Sequence, residues 1–143
     1  MDITNYTNDA VELLKELIAI PSVSRDETKA ADKLAEYLTK WGLPYGREGN
    51  NLWVGCPNWD NNRPTVMLNA HIDTVKPVNS WTRDPFTPTQ EGDMLYGLGS
   101  NDCGGGLVAL LQAYRIMLQR QRSFNILFVA SADEEVSGEK GFS

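Results

Sequence analysis

Residues 124–130 form the segment that most constrains the fold of this 143-residue chain. The run is almost continuously apolar and contains phenylalanine, isoleucine and valine, which is typical of a strand that is buried on both faces. Such a strand lies inside a sheet that other elements cover. The rest of the chain therefore has to supply those elements.

Three segments carry apolar residues at the three- and four-residue spacing of an amphipathic helix. The first covers residues 9–20 and is ended by Pro21, because proline cannot continue a helix. The second begins near Asp26, ends near Trp41 and is followed by Gly42, a common residue type just beyond a helix C-terminus. The third is marked by leucine, tyrosine and methionine residues between positions 107 and 118.

Shorter apolar runs at residues 51–56, 65–70 and 94–96 are separated by prolines and a glycine, and they predict strands joined by loops. The alternation of helices with buried strands predicts an α/β fold, a three-layer sandwich with a mixed, partly parallel sheet. In sheets of this kind, ligands bind beyond the carboxyl ends of the strands. Functional residues are therefore expected directly after the strands.

The balance of acidic and basic residues limits the classes of molecule that the chain can bind. The chain has 13 Lys and Arg residues against 19 Asp and Glu residues, a formal net charge of −6, and no basic cluster that could follow a phosphate backbone. Its first residues do not form a basic region followed by an apolar stretch, and no window reaches about 18 uninterrupted apolar residues. We therefore expect a soluble cytoplasmic protein that binds neither nucleic acid nor membrane.

The first candidate site follows the strand predicted at residues 65–70. His71 and Asp73 are two residues apart in an extended segment, so their side chains face the same side and the carboxylate can orient the imidazole. A neutral, oriented histidine is what a metal ion requires. The alternative is a histidine that serves only in structural hydrogen bonds at the end of a strand.

The second candidate is Asp102, in the glycine-rich segment 97–106 that leads into the third helix. Helix capping alone would explain an aspartate at this position. Three consecutive glycines, from Gly104 to Gly106, weaken a helix by roughly 1 kcal/mol each relative to alanine, which indicates a close backbone approach at this turn. A nucleotide-binding loop is not predicted, because no Lys-Ser or Lys-Thr pair follows and the GxGxxG spacing is absent.

The third candidate is the acidic triplet Asp133, Glu134 and Glu135, directly after the buried strand. Neighbouring carboxylates repel one another, and a bound cation relieves that repulsion. The alternatives are a solvated loop and the first turn of a helix, where the helix dipole favours acids. The combination favours metal, because one histidine and two separate groups of carboxylates are all predicted at the carboxyl edge of one sheet.

Five motifs, in this order along nearly the whole chain, resemble those of a known family. They are residues 18–24, 71–73, 81–86, 96–102 and 133–135. The family is that of the zinc metallopeptidases and amidohydrolases which includes acetylornithine deacetylase, succinyl-diaminopimelate desuccinylase and aminoacylase-1. The Gly-Ser-Asn-Asp sequence that ends at Asp102 and the opening helices favour the acetylornithine deacetylase subgroup.

The resemblance implies a role for each candidate residue. His71 would bind one zinc ion, Asp102 would bridge two, and Glu135 would bind the second. Asp73 would orient His71, and Glu134 would be the general base that acts on the attacking water. Zinc is the implied cofactor, with cobalt and manganese as alternatives.

The implied fold is that of the zinc exopeptidases, and the implied reaction is hydrolysis of a small N-acyl amino acid, with N-acetylornithine as the predicted substrate. Succinyl-diaminopimelate desuccinylase and a dipeptidase or carboxypeptidase are the alternatives within the family. A metal-free binding module of the same fold is the alternative outside it. Members often have a cis peptide bond after the bridging aspartate, here between Asp102 and Cys103.

In this family a complete two-zinc site needs another acidic ligand and a histidine further along, and His71 is the only histidine here. We therefore expect residues 1–143 to be the N-terminal part of the catalytic domain, with an incomplete fold and without the lid and dimerisation domain. We expect this chain to be inactive alone and the full-length protein to be a homodimer.

Overall fold

The structure is a computed structural model that describes residues 2–134. It contains three α-helices, one short π-helical turn (Ser100–Gly104) and six strands within that range. The helices are α1 (Thr4–Ile18), α2 (Thr28–Lys40) and α3 (Gly105–Met117). The strands are β1 (Gly46–Glu48), β2 (Asn51–Gly55), β3 (Thr65–His71), β4 (Thr89–Glu91), β5 (Met94–Tyr96) and β6 (Asn125–Ser131).

Four of the strands form one mixed sheet in the order β1-β2-β6-β3, and β4 and β5 form a separate hairpin. Strand β6 is antiparallel to β2 and parallel to β3. Its position between these two strands explains the continuous apolar run, because Ile126, Phe128 and Ala130 are fully buried on one face and Val129 is almost fully buried on the other. The predicted α/β fold with a mixed, partly parallel sheet is confirmed.

All three helices contribute to one apolar core on the same face of the sheet. The sheet side of this core consists of alternate residues, because successive side chains of a strand point to opposite faces. They include Leu52 and Val54 of β2 and Ile126, Phe128 and Ala130 of β6. Among the described residues, therefore, the sheet and one helical layer make up two of the three predicted layers.

The helix bounds differ modestly from the prediction. Helix α1 begins at Thr4, five residues before the predicted start. The prediction missed these residues because the first turn is polar and shows no apolar periodicity. The Thr4 amide donates to Asp2 Oδ1 at 2.9 Å. Helix α2 begins at Thr28, two residues later than predicted. Between residues 2 and 134, no helix has the length and apolar character needed to cross a membrane.

The parallel pairing of β3 with β6 decides where the site lies. His71, the last residue of β3, is in register with Ser131, the last residue of β6. The segments that follow both strands therefore leave the sheet side by side at one edge. This is the carboxyl edge at which the sequence predicted ligand binding.

Candidate metal centre

His71 is held in a fixed orientation at the end of β3. Its Nδ1 lies 2.8 Å from the backbone oxygen of Asp73 and 3.5 Å from Asp73 Oδ1. Its Nε2 lies 3.0 Å from Asp102 Oδ1 and 3.9 Å from Glu134 Oε2. The imidazole is only 10% exposed, whereas the Asp102 and Glu134 side chains are 74% and 57% exposed. One buried nitrogen thus faces two accessible carboxylates.

The surroundings of His71 favour its protonated form when no metal is bound. Contact with the Cys103 side chain, followed by the Asp73 backbone oxygen and the Asp102 carboxylate, raises the pKa of His71, and burial of the ring opposes this rise. A cation that binds at Nε2 takes the place of that proton.

Asp102 does not cap helix α3. The residue before the helix is Gly104, no side chain caps the helix, and the backbone is non-helical at Asp102 and Cys103. Asp102 instead bonds to His71, so the capping explanation is wrong. The predicted cis peptide bond between Asp102 and Cys103 is confirmed.

The route by which Asp102 reaches the site also differs from the prediction. It does not follow a strand of the main sheet but lies in the wide turn Ser100–Gly104, after the β4–β5 hairpin. This turn is very tightly packed. A Cβ atom on Gly104 would lie 2.6 Å from the Gly99 oxygen, and one on Gly105 would lie 2.8 Å from the Ser100 oxygen. The predicted close backbone approach is confirmed at these two glycines, whereas Gly106 has nothing within 4 Å.

The acidic triplet does not act as one cluster. Asp133 is only 3% exposed and has φ = 56°, a left-handed backbone conformation. Its Oδ1 accepts the Arg25 amide at 2.9 Å. The prediction that all three acids surround a cation is wrong for Asp133, because this carboxylate is engaged inside the fold. Glu134 faces His71, and Glu135 lies outside the described residues.

Asp73 connects several parts of the site. Its side chain is completely buried, and its Oδ2 accepts a hydrogen bond from Ser24 Oγ. Its Oδ1 accepts the Glu134 amide at 3.1 Å. The sequence pattern predicted only a contact between Asp73 and His71. In the structure, Asp73 also ties the segment after β6 to the segment after β3.

Sequence reasoning missed three residues that contact this network: Ser24, Glu27 and Asn51. Glu27 is 1% exposed, and its Oε1 accepts the Asp133 amide at 3.1 Å. Burial of its carboxyl, followed by the neighbouring Asp133, raises the pKa of Glu27 to about 7. Ser24 belonged to a motif of the family resemblance, residues 18–24, which was a signal for it. Glu27 and Asn51 carried no such signal, because each lies next to a helix or strand start where polar residues are common.

The family follows from the sequence comparison. A sequence profile described as Peptidase family M20/M25/M40 matches residues 67–143, which is more than half of the chain. The chain belongs to this peptidase family. A succinyl-diaminopimelate desuccinylase from Blochmanniella floridana is 30% identical to it over 94% of the chain. The chain spans only 37% of the length of that relative.

Solved structures of the M20 family share the fold. A metallo-carboxypeptidase from Sulfolobus solfataricus superposes with a TM-score of 0.72 at 24% identity, covering 95% of this chain and 32% of that one. A Bacillus subtilis protein described as a dinuclear metal binding peptidase gives a TM-score of 0.68 at 16% identity, covering 92% of this chain and 37% of that one. At these identities the likeness shows the fold alone.

The donor chemistry at this edge of the M20 chain suits a divalent cation, but the set is incomplete. A histidine and a carboxylate commonly bind zinc together. The histidine binds through one ring nitrogen, while its other ring nitrogen is hydrogen-bonded within the protein. Of the three predicted ligands, the structure brings His71 and Asp102 together. Within residues 2–134, no group of three or more His, Cys, Asp or Glu side chains could hold a metal ion.

Proposed function

We propose that this chain is the N-terminal part of the catalytic domain of a metal-dependent amidohydrolase, which cleaves the amide bond of a small N-acyl amino acid. The observation that carries the proposal is the meeting of His71, Asp102 and Glu134 at one sheet edge, with His71 Nε2 3.0 Å from Asp102 Oδ1 and 3.9 Å from Glu134 Oε2. These side chains come from three separate segments of the chain. Membership of the M20 family supports the same reaction class.

Each residue has a distinct role in the proposed reaction. His71, Asp102 and Glu135 would hold the metal ions, with zinc proposed first and cobalt or manganese as alternatives. The ions, when bound, polarise the amide carbonyl and lower the pKa of water. Asp73 holds the His71 ring through its backbone oxygen. Glu134 takes a proton from the attacking water and gives it to the departing amine as the carbon–nitrogen bond breaks.

Two substrates are proposed. The name of the relative from Blochmanniella floridana supports N-succinyl-diaminopimelate. The Gly-Ser-Asn-Asp sequence ending at Asp102 supports N-acetylornithine, the substrate predicted from the sequence. A panel of both compounds and a dipeptide, assayed with the longer protein of which we propose this chain is a part, discriminates between them by the ratio of kcat/KM.

The decisive experiment replaces Glu134 by alanine in that longer protein, with the exposed turn residue Asp93 replaced by asparagine as the matched control. We expect Glu134→Ala to keep its metal content and to lose turnover by about 10²–10⁴-fold, the usual contribution of a general base. Asp93→Asn should behave as the wild type. Unchanged turnover in Glu134→Ala would remove Glu134 as the base.

Two further measurements separate this proposal from its alternatives. A wild-type protein that contains no divalent metal and hydrolyses none of the panel would be a binding module of the same fold. The 143-residue chain alone is proposed to be inactive, and metal-dependent turnover by it would contradict that. We also propose a homodimer for the longer protein, which light scattering would test.

A further inference from the structure

Three consecutive backbone amides in the segment after β6 each donate to a buried side chain from a different part of the fold. The Ala132 amide donates to Asn51 Oδ1 at 2.8 Å, and the Asp133 amide donates to Glu27 Oε1 at 3.1 Å. The Glu134 amide donates to Asp73 Oδ1 at 3.1 Å. The three accepting residues are 9%, 1% and 0% exposed, in that order.

This arrangement replaces the strand hydrogen bonds that end with β6. A buried amide without an acceptor costs free energy, so a segment leaving a sheet has to find new partners. Here the new partners are side chains of fixed position. Asn51 begins β2, Glu27 precedes α2, and Asp73 follows β3. The backbone of residues 132–134 is therefore defined by three separate elements at once.

The backbone conformation of this segment determines where the Glu134 side chain points. Asp133 adopts a left-handed conformation, with φ = 56°, which is uncommon for a residue other than glycine and needs support from its surroundings. The Glu27 acceptor on its amide and the Arg25 donor on its carboxylate supply that support. With Asp133 turned in this way, the next side chain, Glu134, points towards His71.

We infer that Glu27 and Asn51 are positioning residues, which together with Asp73 hold the backbone of residues 132–134 so that Glu134 faces His71. They act through the loop and not on a substrate. The inference rests on the proposed function for the role of Glu134, but the holding of the loop can be measured without it.

The test compares matched variants of the 143-residue chain. Glu27→Gln keeps an oxygen that can accept the Asp133 amide, whereas Glu27→Leu removes it and Glu27→Asp shortens its reach by one methylene. Asn51→Asp and Asn51→Leu form the corresponding pair for the Ala132 amide. Hydrogen exchange of the three amides is measured by NMR, and kcat and metal content are measured for the same variants of the longer protein of which we propose this chain is a part.

We expect Glu27→Leu to speed exchange of the Asp133 amide by at least about tenfold and to lower kcat by about 10–100-fold with its metal content kept, because the proposed base Glu134 is displaced and no proposed metal ligand is removed. Glu27→Gln should stay within about twofold of the wild type in both. The Asn51 pair should show the same contrast at Ala132. If a leucine variant does not fold, the contrast of Glu27→Gln with Glu27→Asp decides.

Unchanged exchange of the Asp133 amide in a folded Glu27→Leu or Glu27→Asp chain would overturn the inference. Equal damage from Gln and Leu would do the same, because it would show that the accepting oxygen is not what matters. A wild-type longer protein that hydrolyses none of the substrates in the panel would count against the proposed function alone. In that case the amide exchange still decides whether Glu27 and Asn51 hold the loop.

Discussion

The imidazole Nε2 of His71 lies 3.0 Å from Oδ1 of Asp102, although 31 residues separate them in the sequence. His71 ends a strand, while Asp102 comes from a tightly packed turn before helix α3. Two independent parts of the fold thus present a nitrogen and an oxygen donor to one point. Such a pairing suits a metal ion better than it suits a purely structural histidine, whose ring nitrogens are usually satisfied inside the fold.

The first prediction concerns metal binding by this pair. Replacing His71 by alanine or Asp102 by asparagine should weaken Zn²⁺ binding to the 143-residue chain by at least about tenfold, because each removes one of few available donors. Asp93→Asn, which removes an exposed carboxylate in the β4–β5 turn, is the control. The affinities are measured by chelator competition. Equal affinities in all four proteins would show that the ion binds elsewhere.

The second prediction concerns Ser24, whose hydroxyl donates to the buried Asp73 carboxylate. A hydrogen bond to a charged group contributes about 1.5–3 kcal/mol, so Ser24→Ala should lower the free energy of unfolding by that amount. The exposed Ser80→Ala should change it by less than about 0.5 kcal/mol. Urea denaturation measures both. A loss in Ser24→Ala no larger than that in Ser80→Ala would mean that Asp73 does not need this donor.

Much of this architecture is predictable from local sequence patterns. Strand β6 could be located from composition, because burial on both faces leaves a continuous apolar run. The meeting of His71 and Glu134 could be anticipated once β3 and β6 were taken as neighbouring parallel strands, since parallel strands end at one edge. These inferences depend only on periodicity and on the general geometry of sheets.

The supporting contacts could not be predicted in that way. Glu27 and Asp133 are 106 residues apart, and nothing in the residues around either one indicates that they meet. The separate positions of the three adjacent acids could not be predicted for a related reason. Three adjacent carboxylates look alike in a sequence, but a single left-handed residue at Asp133 sends one into the interior and the next towards His71.

The third prediction concerns the pH dependence of stability. Burial and the adjacent Asp133 raise the pKa of Glu27 from its ordinary value of 4.5 to about 7. A carboxyl group with a raised pKa stabilises the fold while it is protonated, so its contribution is complete below about pH 4.5 and is lost as the pH rises through about 7. The contribution of Glu27 to the stability of the wild-type chain should therefore fall over this interval.

Glu27→Gln is the matched control, because its amide does not titrate and can make the same hydrogen bonds as a protonated carboxyl. The difference in the free energy of unfolding, variant minus wild type, should become more positive by on the order of 2–3 kcal/mol as the pH rises from about 4.5 to about 7. Urea denaturation at several pH values measures the difference. Parallel curves for the two proteins would show that Glu27 does not titrate in this range.

The last prediction uses two glycines of the turn that carries Asp102. A Cβ on Gly104 would lie 2.6 Å from the Gly99 oxygen and 2.8 Å from Leu14 Cδ1, whereas one on Gly106 would meet nothing within 4 Å. Gly104→Ala should therefore destabilise the chain by about 1–3 kcal/mol through overpacking. Gly106→Ala should stabilise it by about 0.4–1 kcal/mol, because alanine loses less conformational entropy in a helix.

The same pair of variants also separates stability from metal binding. Relief of the clash at position 104 has to move the turn, and Asp102 moves with it away from its place beside His71. We therefore expect Gly104→Ala to weaken Zn²⁺ binding by at least about tenfold even where the chain is still folded, and Gly106→Ala to leave it unchanged. Thermal unfolding and chelator competition measure the two effects. Wild-type Zn²⁺ affinity in a folded Gly104→Ala chain would show that the close packing of this turn does not position Asp102.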